Sequence, residues 1–260
     1  NPVIVFAHAK PVAVETRAEN GFRLTRADLE AKVTPRTRLL MLNYPNNPTG
    51  ATLRPEDVRA IADFAVQHDL IVITDEIYAE LTYDGKHTSI AALPGMKERT
   101  IFLHGFSKAW AMTGFRLGYA CAPAELTEAM MKIHQYTMLC APITAQEAAV
   151  EALTQPEEDI DEMRSEYQRR RNFLHNSFTE MGLPCAKPAG AFYAFPSIAH
   201  LGLTSREFAL KFLDEEKVAM VPGTAFGRCG EGFVRAAYAT GMEDLKEAML
   251  RLQRFIKRIS

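Results

Sequence analysis

Short apolar runs alternate with helical segments through the first part of the chain. Residues 39–42 read Leu-Leu-Met-Leu, residues 70–74 read Leu-Ile-Val-Ile-Thr, and further apolar runs cover residues 100–104 and 115–121. Such runs are typical of strands, and the run at 70–74 is typical of a strand buried on both faces. From Pro55, apolar residues recur at positions 58, 61, 62 and 65, the spacing of one helix face. Strand, helix and strand in this order predict an α/β fold with a mostly parallel sheet covered by helices.

The pattern changes in the second part of the chain. Residues 156–182 are highly charged, with acidic residues first and three consecutive arginines at 169–171, an order that complements the dipole of one long helix. Beyond them, strands are predicted at 191–195, 218–221 and 233–237, with helices at 205–216 and 242–259. We therefore predict a large domain over residues 1–155, a linking long helix over 156–182 and a smaller C-terminal α+β domain over 183–260.

Composition excludes several classes of protein. The 260 residues are 47% hydrophobic and 24% charged, as in soluble globular proteins. A formal net charge of −2 gives no electrostatic reason to expect a nucleic-acid partner, and no apolar run is long enough to span a membrane. We find no signal peptide and expect a cytoplasmic protein. The four cysteines form no C-x-x-C pair, so we expect buried thiols and no metal site.

Polar clusters follow three of the predicted strands. They are Asn-Asn-Pro-Thr-Gly at 46–50, Asp-Glu-Ile-Tyr at 75–78, and Ser107 with Lys108. In open α/β sheets ligands bind beyond the carboxyl ends of the strands, so these clusters are expected to meet. Taken singly, each has an ordinary explanation: a turn, a helix start, a surface lysine or, for Arg116, a salt-bridge partner. Their order and separations favour a shared site.

Longer segments around these clusters resemble the class I and II aminotransferases of pyridoxal phosphate (PLP) fold type I. The resembling segments are residues 44–50, 75–78, 106–118, 188–193, 221–227 and 233–239. The resemblance covers essentially the whole chain, and its most specific part is Ser107-Lys108 with the following Arg116. It implies a three-layer PLP-transferase large domain, a smaller C-terminal domain, and a transaminase of amino acid metabolism with PLP as cofactor.

The same resemblance assigns the catalytic roles. Lys108 would carry the cofactor and move a proton between the substrate and the cofactor. Asp75 would pair with the pyridine nitrogen and keep it protonated, which stabilises negative charge in the transition state. Tyr78 and Asn47 would donate hydrogen bonds to the phenolic oxygen of the cofactor.

Further residues would bind the two anionic groups. Ser107 and Arg116 would bind the cofactor phosphate. Arg235, with Asn47, would bind the α-carboxylate of the substrate in a forked pair of hydrogen bonds. The resemblance also suggests a cis peptide bond between Asn47 and Pro48.

The family's N-terminal portion is missing from this sequence. In relatives it contributes a glycine-containing phosphate loop, an aromatic ring that stacks on the cofactor, and a segment that caps the substrate. We therefore expect these 260 residues alone to be poorly active, and the complete protein to be a homodimer with shared active sites, as the resemblance implies.

Three other functions are alternatives to amino-group transfer. A PLP-dependent carbon–sulfur lyase would use the same lysine and aspartate, and a PLP-binding sensor domain of a regulator would bind the cofactor with little turnover. Residues 132–142 resemble aspartate, aromatic and N-acetyl-diaminopimelate aminotransferases, which favours transfer of an amino group to a 2-oxo acid such as 2-oxoglutarate. A dinucleotide-binding domain is disfavoured because no G-x-G-x-x-G follows a strand.

Overall fold

Strands β1 to β4 form one mixed sheet in chain order. The structure is a computed structural model that describes residues 2–154 and 158–259. The strands are β1 (Leu39–Asn43), β2 (Ile71–Asp75), β3 (Thr100–Gly105) and β4 (Gly118–Cys121). The first three are parallel and β4 pairs antiparallel with β3, so the predicted α/β class with a mostly parallel sheet is confirmed. The last strand begins later than predicted, because a 3-10 turn occupies Thr113–Phe115.

Helix α3 (Pro55–Gln67) covers one face of this sheet. Pro55 occupies the start of the helix, where its missing N–H has no intrahelical partner to lose, and two acidic residues follow in the first turn. The apolar face of the helix packs in one core with Leu40, Leu42 and Val72. Ile61 is fully buried in this core, and its burial contributes about 1.5–3 kcal/mol.

The opposite face of the sheet is less well covered by the described residues. Leu39 and Met41 are 41% and 54% exposed, and alternate residues of β2 are only partly buried. The prediction that this strand is buried on both faces is therefore wrong for the described chain. Helix α4 (Ala124–Thr137) has no buried residue, and α5 (Ile143–Thr154) buries only two alanines. Large apolar side chains are consequently exposed on α4 and in the residues that follow it, at Met131, Ile133, Tyr136, Met138 and Leu139.

A second sheet follows the long helix α6 (Glu158–Glu180). It contains β5 (Tyr193–Ala194), β6 (Val221–Pro222) and β7 (Val234–Ala237) in the antiparallel order β5-β7-β6. Helices α7 (Ser205–Glu216) and α8 (Met242–Ile259) pack with α6 around a separate aromatic-rich core. The remaining described helices longer than one 3-10 turn are α1 (Pro2–Phe6) and α2 (Arg26–Glu30).

Two predictions about this second part need comment. The strand predicted at 218–221 pairs with β7 only from Val221, because the chain leaves α7 through Lys217 in the left-handed region, with φ of 57°. Residues 155–157, at the predicted junction between large domain and linking helix, lie outside the described residues, and the division into domains stays a prediction.

The cysteines differ from expectation. Cys121, Cys140 and Cys229 are exposed and only Cys185 is largely enclosed, so the prediction of buried thiols is wrong for three of the four. The physical reason for Cys121 is its place on β4, the edge strand, none of whose residues is buried, and Cys140 follows α4, which likewise has no buried residue. Burial raises the pKa of the Cys185 thiol to about 11.

Candidate functional site

The carboxyl ends of the three parallel strands meet at one edge of the first sheet. Asn43, the last residue of β1, is paired with Asp75, the last residue of β2, and Asp75 is paired with Leu103 of β3. The loops that carry Asn47, Tyr78 and the Ser107-Lys108 pair leave the sheet from this edge. The structure thus brings together the polar clusters that lie far apart in the sequence.

The loop after β1 is a turn fixed by the side chain of Asn46. Its Oδ1 accepts hydrogen bonds from the Thr49 backbone N–H at 3.2 Å and from the Thr49 hydroxyl at 2.8 Å. The cis peptide bond of the described residues is Tyr44–Pro45, so the prediction of a cis Asn47–Pro48 bond is wrong. The Asn47–Pro48 bond is trans. It lies inside the turn that the hydrogen bonds of the Asn46 side chain close.

Gly50 joins this turn to the second part of the chain. Its carbonyl accepts hydrogen bonds from the N–H groups of Ala189 and Gly190, at 2.8 and 2.9 Å. Its φ is 69°, and a Cβ atom there would lie 2.6 Å from the Tyr193 carbonyl oxygen. Only glycine satisfies both conditions, and the contact fixes the Asn47 turn against the segment that leads into β5.

Lys108 lies between two aromatic rings. Its Nζ is 5.8 Å from the centre of the Tyr78 ring and 5.4 Å from the centre of the Phe192 ring. The following residue, Ala109, is buried and anchors the backbone beside the lysine. Among the described residues no carboxylate forms an ion pair with Nζ, and the contacts of the amine are with these two rings.

Asp75 is a partly enclosed carboxylate at the end of β2. Burial is the largest influence on its pKa and raises it, while the Ile77 N–H, which donates to Oδ1 at 3.2 Å, and the nearby His104 oppose the rise. The net shift is upward, so the charged form is held in an environment that disfavours it. A carboxylate of this kind is stabilised by a cationic group brought into the site.

Tyr78 is buried with its hydroxyl 3.1 Å from the hydroxyl of Tyr193. Burial raises the pKa of Tyr78 far above its usual range, and the hydrogen bond with Tyr193 raises it further. The phenol therefore stays protonated at neutral pH and is available as a hydrogen-bond donor.

Arg235 is held by an amide and by two aromatic rings. Its Nη1 donates to Asn47 Oδ1 at 2.8 Å, and its guanidinium carbon is 4.5 Å from the centre of the Tyr193 ring and 4.9 Å from that of Phe226. The buried Nε has no hydrogen-bond partner among the described residues. Nε and Nη2 share one edge of the planar guanidinium, so Arg235 presents a forked donor suited to a carboxylate.

Ser107 and Arg116 lie in the segment that joins β3 to β4. The ladder between these strands ends at the Gly105–Gly118 pair, and one further bond joins the Phe106 N–H to the Leu117 carbonyl at 3.2 Å. Arg116 is exposed, and its Nη1 donates to the Thr113 carbonyl at 2.6 Å. The guanidinium is therefore bonded to its own loop, and no contact between the serine and the arginine is seen among the described residues.

Three aromatic residues of the site were not singled out from the sequence: Phe192, Tyr193 and Phe226. All three lie in segments that resemble the aminotransferases, at 188–193 and 221–227, which was the signal that could have found them. The sequence alone assigns them no role, because an aromatic residue beside a strand is more often a core residue. Only the structure shows that Phe192 contacts Lys108 and that Tyr193 and Phe226 contact Arg235.

Comparison with known proteins agrees with this geometry. A family model described as "Aminotransferase class I and II" matches residues 1–252. The putative aminotransferase YugH of Bacillus subtilis (strain 168) is 54% identical over 254 residues, covering 98% of this chain and 66% of that protein. Aromatic-amino-acid aminotransferase 2 of Thermococcus litoralis is 50% identical over 259 residues, covering 98% of this chain and 67% of that protein.

A solved structure shows the same fold. The aromatic aminotransferase from Pyrococcus horikoshii OT3 has a TM-score of 0.97 at 50% identity, covering 99% of this chain and 69% of that one. The chain thus spans about two thirds of the length of the relatives it matches. The predicted family is confirmed: the chain belongs to the class I and II aminotransferases, whose cofactor is PLP.

Proposed function

We propose that the protein is a PLP-dependent aminotransferase that moves an amino group between an L-amino acid and a 2-oxo acid such as 2-oxoglutarate. The observation that carries the proposal is the presence, in one site, of the Lys108 amine between aromatic rings and of Arg235 with an unpartnered buried Nε. The amino acid is aspartate, an aromatic amino acid or a related one, and the name of the Thermococcus relative supports the aromatic side of this range.

The residues present fit PLP. Asp75, whose pKa burial raises, gains a cationic partner in the protonated ring nitrogen. The Tyr78 hydroxyl and the Asn47 side-chain N–H would donate to the phenolic oxygen, since the Asn47 Oδ1 is engaged by Arg235, and Lys108 would supply the primary amine that binds the aldehyde. Ser107 and Arg116 would supply a hydroxyl and a cation for the phosphate.

Each group of this chain then has a defined task. When bound, PLP supplies an electron sink for the bond broken at the substrate Cα. Lys108 Nζ would take the proton from Cα and pass it to the cofactor, and would carry a proton in the opposite direction during the second half of the exchange. The Nε and Nη2 edge of Arg235 binds the α-carboxylate and so fixes which Cα bond is aligned for cleavage. Asn47 holds the other side of the guanidinium, and Asp75 keeps the positive charge on the ring nitrogen.

The test is the absorbance spectrum of the protein with PLP, measured for the wild type, for Lys108→Ala and for Lys97→Ala, a control at an exposed lysine outside the site. We expect a visible band in the wild type and in Lys97→Ala that glutamate or aspartate bleaches and a 2-oxo acid restores. Lys108→Ala loses the band, and its rate falls by about 10²–10⁴-fold or more, the usual contribution of a positioned proton-transfer group.

The same experiment separates the alternative functions. A carbon–sulfur lyase would release pyruvate without a 2-oxo acid, and a sensor domain would show the band without bleaching. A Lys108→Ala variant that kept the band and the bleaching would contradict the proposal.

The assembly and location of the protein are also proposed. We infer a homodimer with shared active sites, in keeping with the exposed apolar side chains of α4 and its surroundings. We infer a cytoplasmic location from the family. None of the described helices is both long and apolar enough to cross a membrane.

A further inference from the structure

Tyr193 contacts two residues of the proposed site, Tyr78 through its hydroxyl and Arg235 through its ring. It lies in β5, is 7% exposed, and is paired with Ala237 of β7. Arg235 precedes Ala237 by two positions on β7, so its side chain is the diagonal neighbour of Tyr193 on the same face of the second sheet. The position of the tyrosine is therefore set by strand register.

The hydroxyl of Tyr193 governs where the hydroxyl of Tyr78 points. The two oxygens are 3.1 Å apart in a buried setting, and their rings meet edge to face at 5.9 Å between centres. A phenol has one proton to donate. Either hydroxyl can be the donor in this bond. Once the phenolic oxygen of a bound cofactor accepts the proton of Tyr78, the oxygen of Tyr78 can accept from Tyr193, and the bond then holds the Tyr78 proton on the cofactor side.

The ring of Tyr193 governs where the guanidinium of Arg235 lies. The ring centre is 4.5 Å from the guanidinium carbon, and Phe226 supplies a second ring at 4.9 Å. Together with the bond from Nη1 to Asn47 Oδ1, these contacts leave the Nε and Nη2 edge for a carboxylate.

We propose that Tyr193 is a positioning residue with two separable effects: its hydroxyl orients Tyr78 toward the cofactor, and its ring holds Arg235 for the substrate carboxylate. The inference rests on the proposed function, because Tyr193 acts through residues whose partners are PLP and an amino acid. The two effects belong to different atoms, so different substitutions separate them.

Two measurements on the PLP-loaded protein report the two effects. The first is the pH midpoint of the change in cofactor absorbance, which depends on the hydrogen bond that Tyr78 donates. The second is the dissociation constant of maleate, a dicarboxylate without an amino group, which depends on Arg235. Neither measurement requires turnover.

Tyr193→Phe removes only the hydroxyl. We expect the pH midpoint to rise by about 0.5 to 1 unit, the effect of one lost hydrogen bond to the ionised phenolic oxygen, with the maleate dissociation constant unchanged within about twofold. Phe226→Leu removes one ring from Arg235, and we expect maleate to bind about three- to tenfold more weakly with the pH midpoint unchanged. Tyr193→Leu combines both changes.

The outcomes distinguish the inference from the function beneath it. If Tyr193→Phe leaves the midpoint unchanged, or weakens maleate binding as much as Tyr193→Leu does, the inference is overturned while the aminotransferase proposal stands. If the wild type shows no cofactor band, the proposed function fails and this inference fails with it. Should Tyr193→Leu not fold, the Tyr193→Phe and Phe226→Leu pair decides the matter alone.

Discussion

Asp75 and Arg235 share an unusual condition for polar residues of a folded protein. The carboxylate of Asp75 is partly buried with a raised pKa, and the buried Nε of Arg235 has no partner among the described residues. Each condition costs free energy of folding, since buried polar groups are normally paired. The buried Nε of Arg171 is unpartnered as well, so this condition alone does not identify a site. Asp75 and Arg235 indicate one because they also lie beside Tyr78 and Asn47 in the same cluster.

The first prediction concerns Asp75→Asn in the cofactor-free protein. Because burial raises the pKa of Asp75, the native state binds its proton more tightly than the unfolded state does. The free energy of unfolding therefore falls as pH rises from about 4 through the raised pKa. Asparagine has no such proton, so the variant is more stable than the wild type at pH 7, and the difference disappears at low pH.

Urea unfolding between pH 4 and 7 measures this effect. Asp63→Asn is the control, because Asp63 is an exposed residue on α3. A variant at Asp75 that was less stable than the wild type at neutral pH would show that the carboxylate has a stabilising partner. The same variant is expected to bind PLP more weakly, since an amide does not hold the ring nitrogen protonated.

Residues at strand ends could be predicted, and residues that act across the two sheets could not. Asp75 and Lys108 follow apolar runs, and the rule that ligands bind beyond parallel strands indicated them. Tyr193 follows no such rule, because its importance comes from the hydroxyl of Tyr78 and the guanidinium of Arg235. Contacts between distant segments leave no local pattern in a single sequence.

The turn that carries Asn47 is the element on which the site's geometry depends. Its last residue, Gly50, accepts two backbone hydrogen bonds from the segment leading to β5 and leaves no space for a side chain. The turn therefore aligns Asn47 with Arg235, which is held by a bond of 2.8 Å.

The second prediction is that Gly50→Ala destabilises the protein by about 2–4 kcal/mol, from the left-handed backbone and from overpacking against the Tyr193 carbonyl. Gly21→Ala is the matched control. Gly21 also has φ of 69°, but nothing lies within 4 Å of an added Cβ atom. We expect about 1 kcal/mol for Gly21→Ala in chemical denaturation. Equal losses at both glycines would mean that the close approach at Gly50 has no energetic effect.

Helices and strands were predictable where the spacing of apolar residues along the chain was enough to define them. Helices α3 and α8 lie where the apolar spacing places them, because one face of each packs on a core. β6 was predicted three residues early, since its start depends on the left-handed Lys217 and on pairing with β7. Pairing partners are set by tertiary structure and not by local composition.

The whole molecule is held together partly by a buried cation on α6. Arg171 is 1% exposed, and its Nη1 donates to Asp84 Oδ2 at 2.6 Å and to the Pro188 carbonyl at 2.8 Å. Its guanidinium also lies 5.0 Å from the Tyr83 ring. The long helix is thereby attached to the loop after β2 and to the segment that Gly50 contacts.

The third prediction is that Asp84→Ala destabilises the protein by about 2–3 kcal/mol, although the Asp84 side chain is 49% exposed. The loss leaves the Arg171 charge buried without its counter-ion, and partial access of water to the Asp84 position reduces the cost below that of a fully buried pair. Asp69→Ala is the control, because Asp69 is 94% exposed and pairs with Arg99 at 2.9 Å.

We expect Asp69→Ala to cost less than about 1 kcal/mol, as exposed ion pairs do. Thermal and urea unfolding of both variants measure the difference. A small loss for Asp84→Ala would indicate that the Pro188 carbonyl and the Tyr83 ring suffice to hold the cation.

For the whole molecule, the sequence was least informative about which faces of the first sheet are covered by other elements. An apolar run such as residues 70–74 indicates a strand, but whether one face or both are covered depends on what else packs there. The described residues bury one face of the first sheet and leave α4 and the edge strand β4 exposed, and for this reason the expected burial of β2 and of Cys121 and Cys140 was wrong.

The hydrogen bond between Asn47 and Arg235 joins residues 188 positions apart. The proposed reactive amine is carried by the first sheet, and the proposed carboxylate clamp is carried by the second. Proton transfer and recognition of the α-carboxylate are therefore encoded in separate stretches of the chain. Because every amino acid carries that carboxylate, both stretches can stay the same when the substrate side chain changes, and adaptation to a new amino acid falls on other residues.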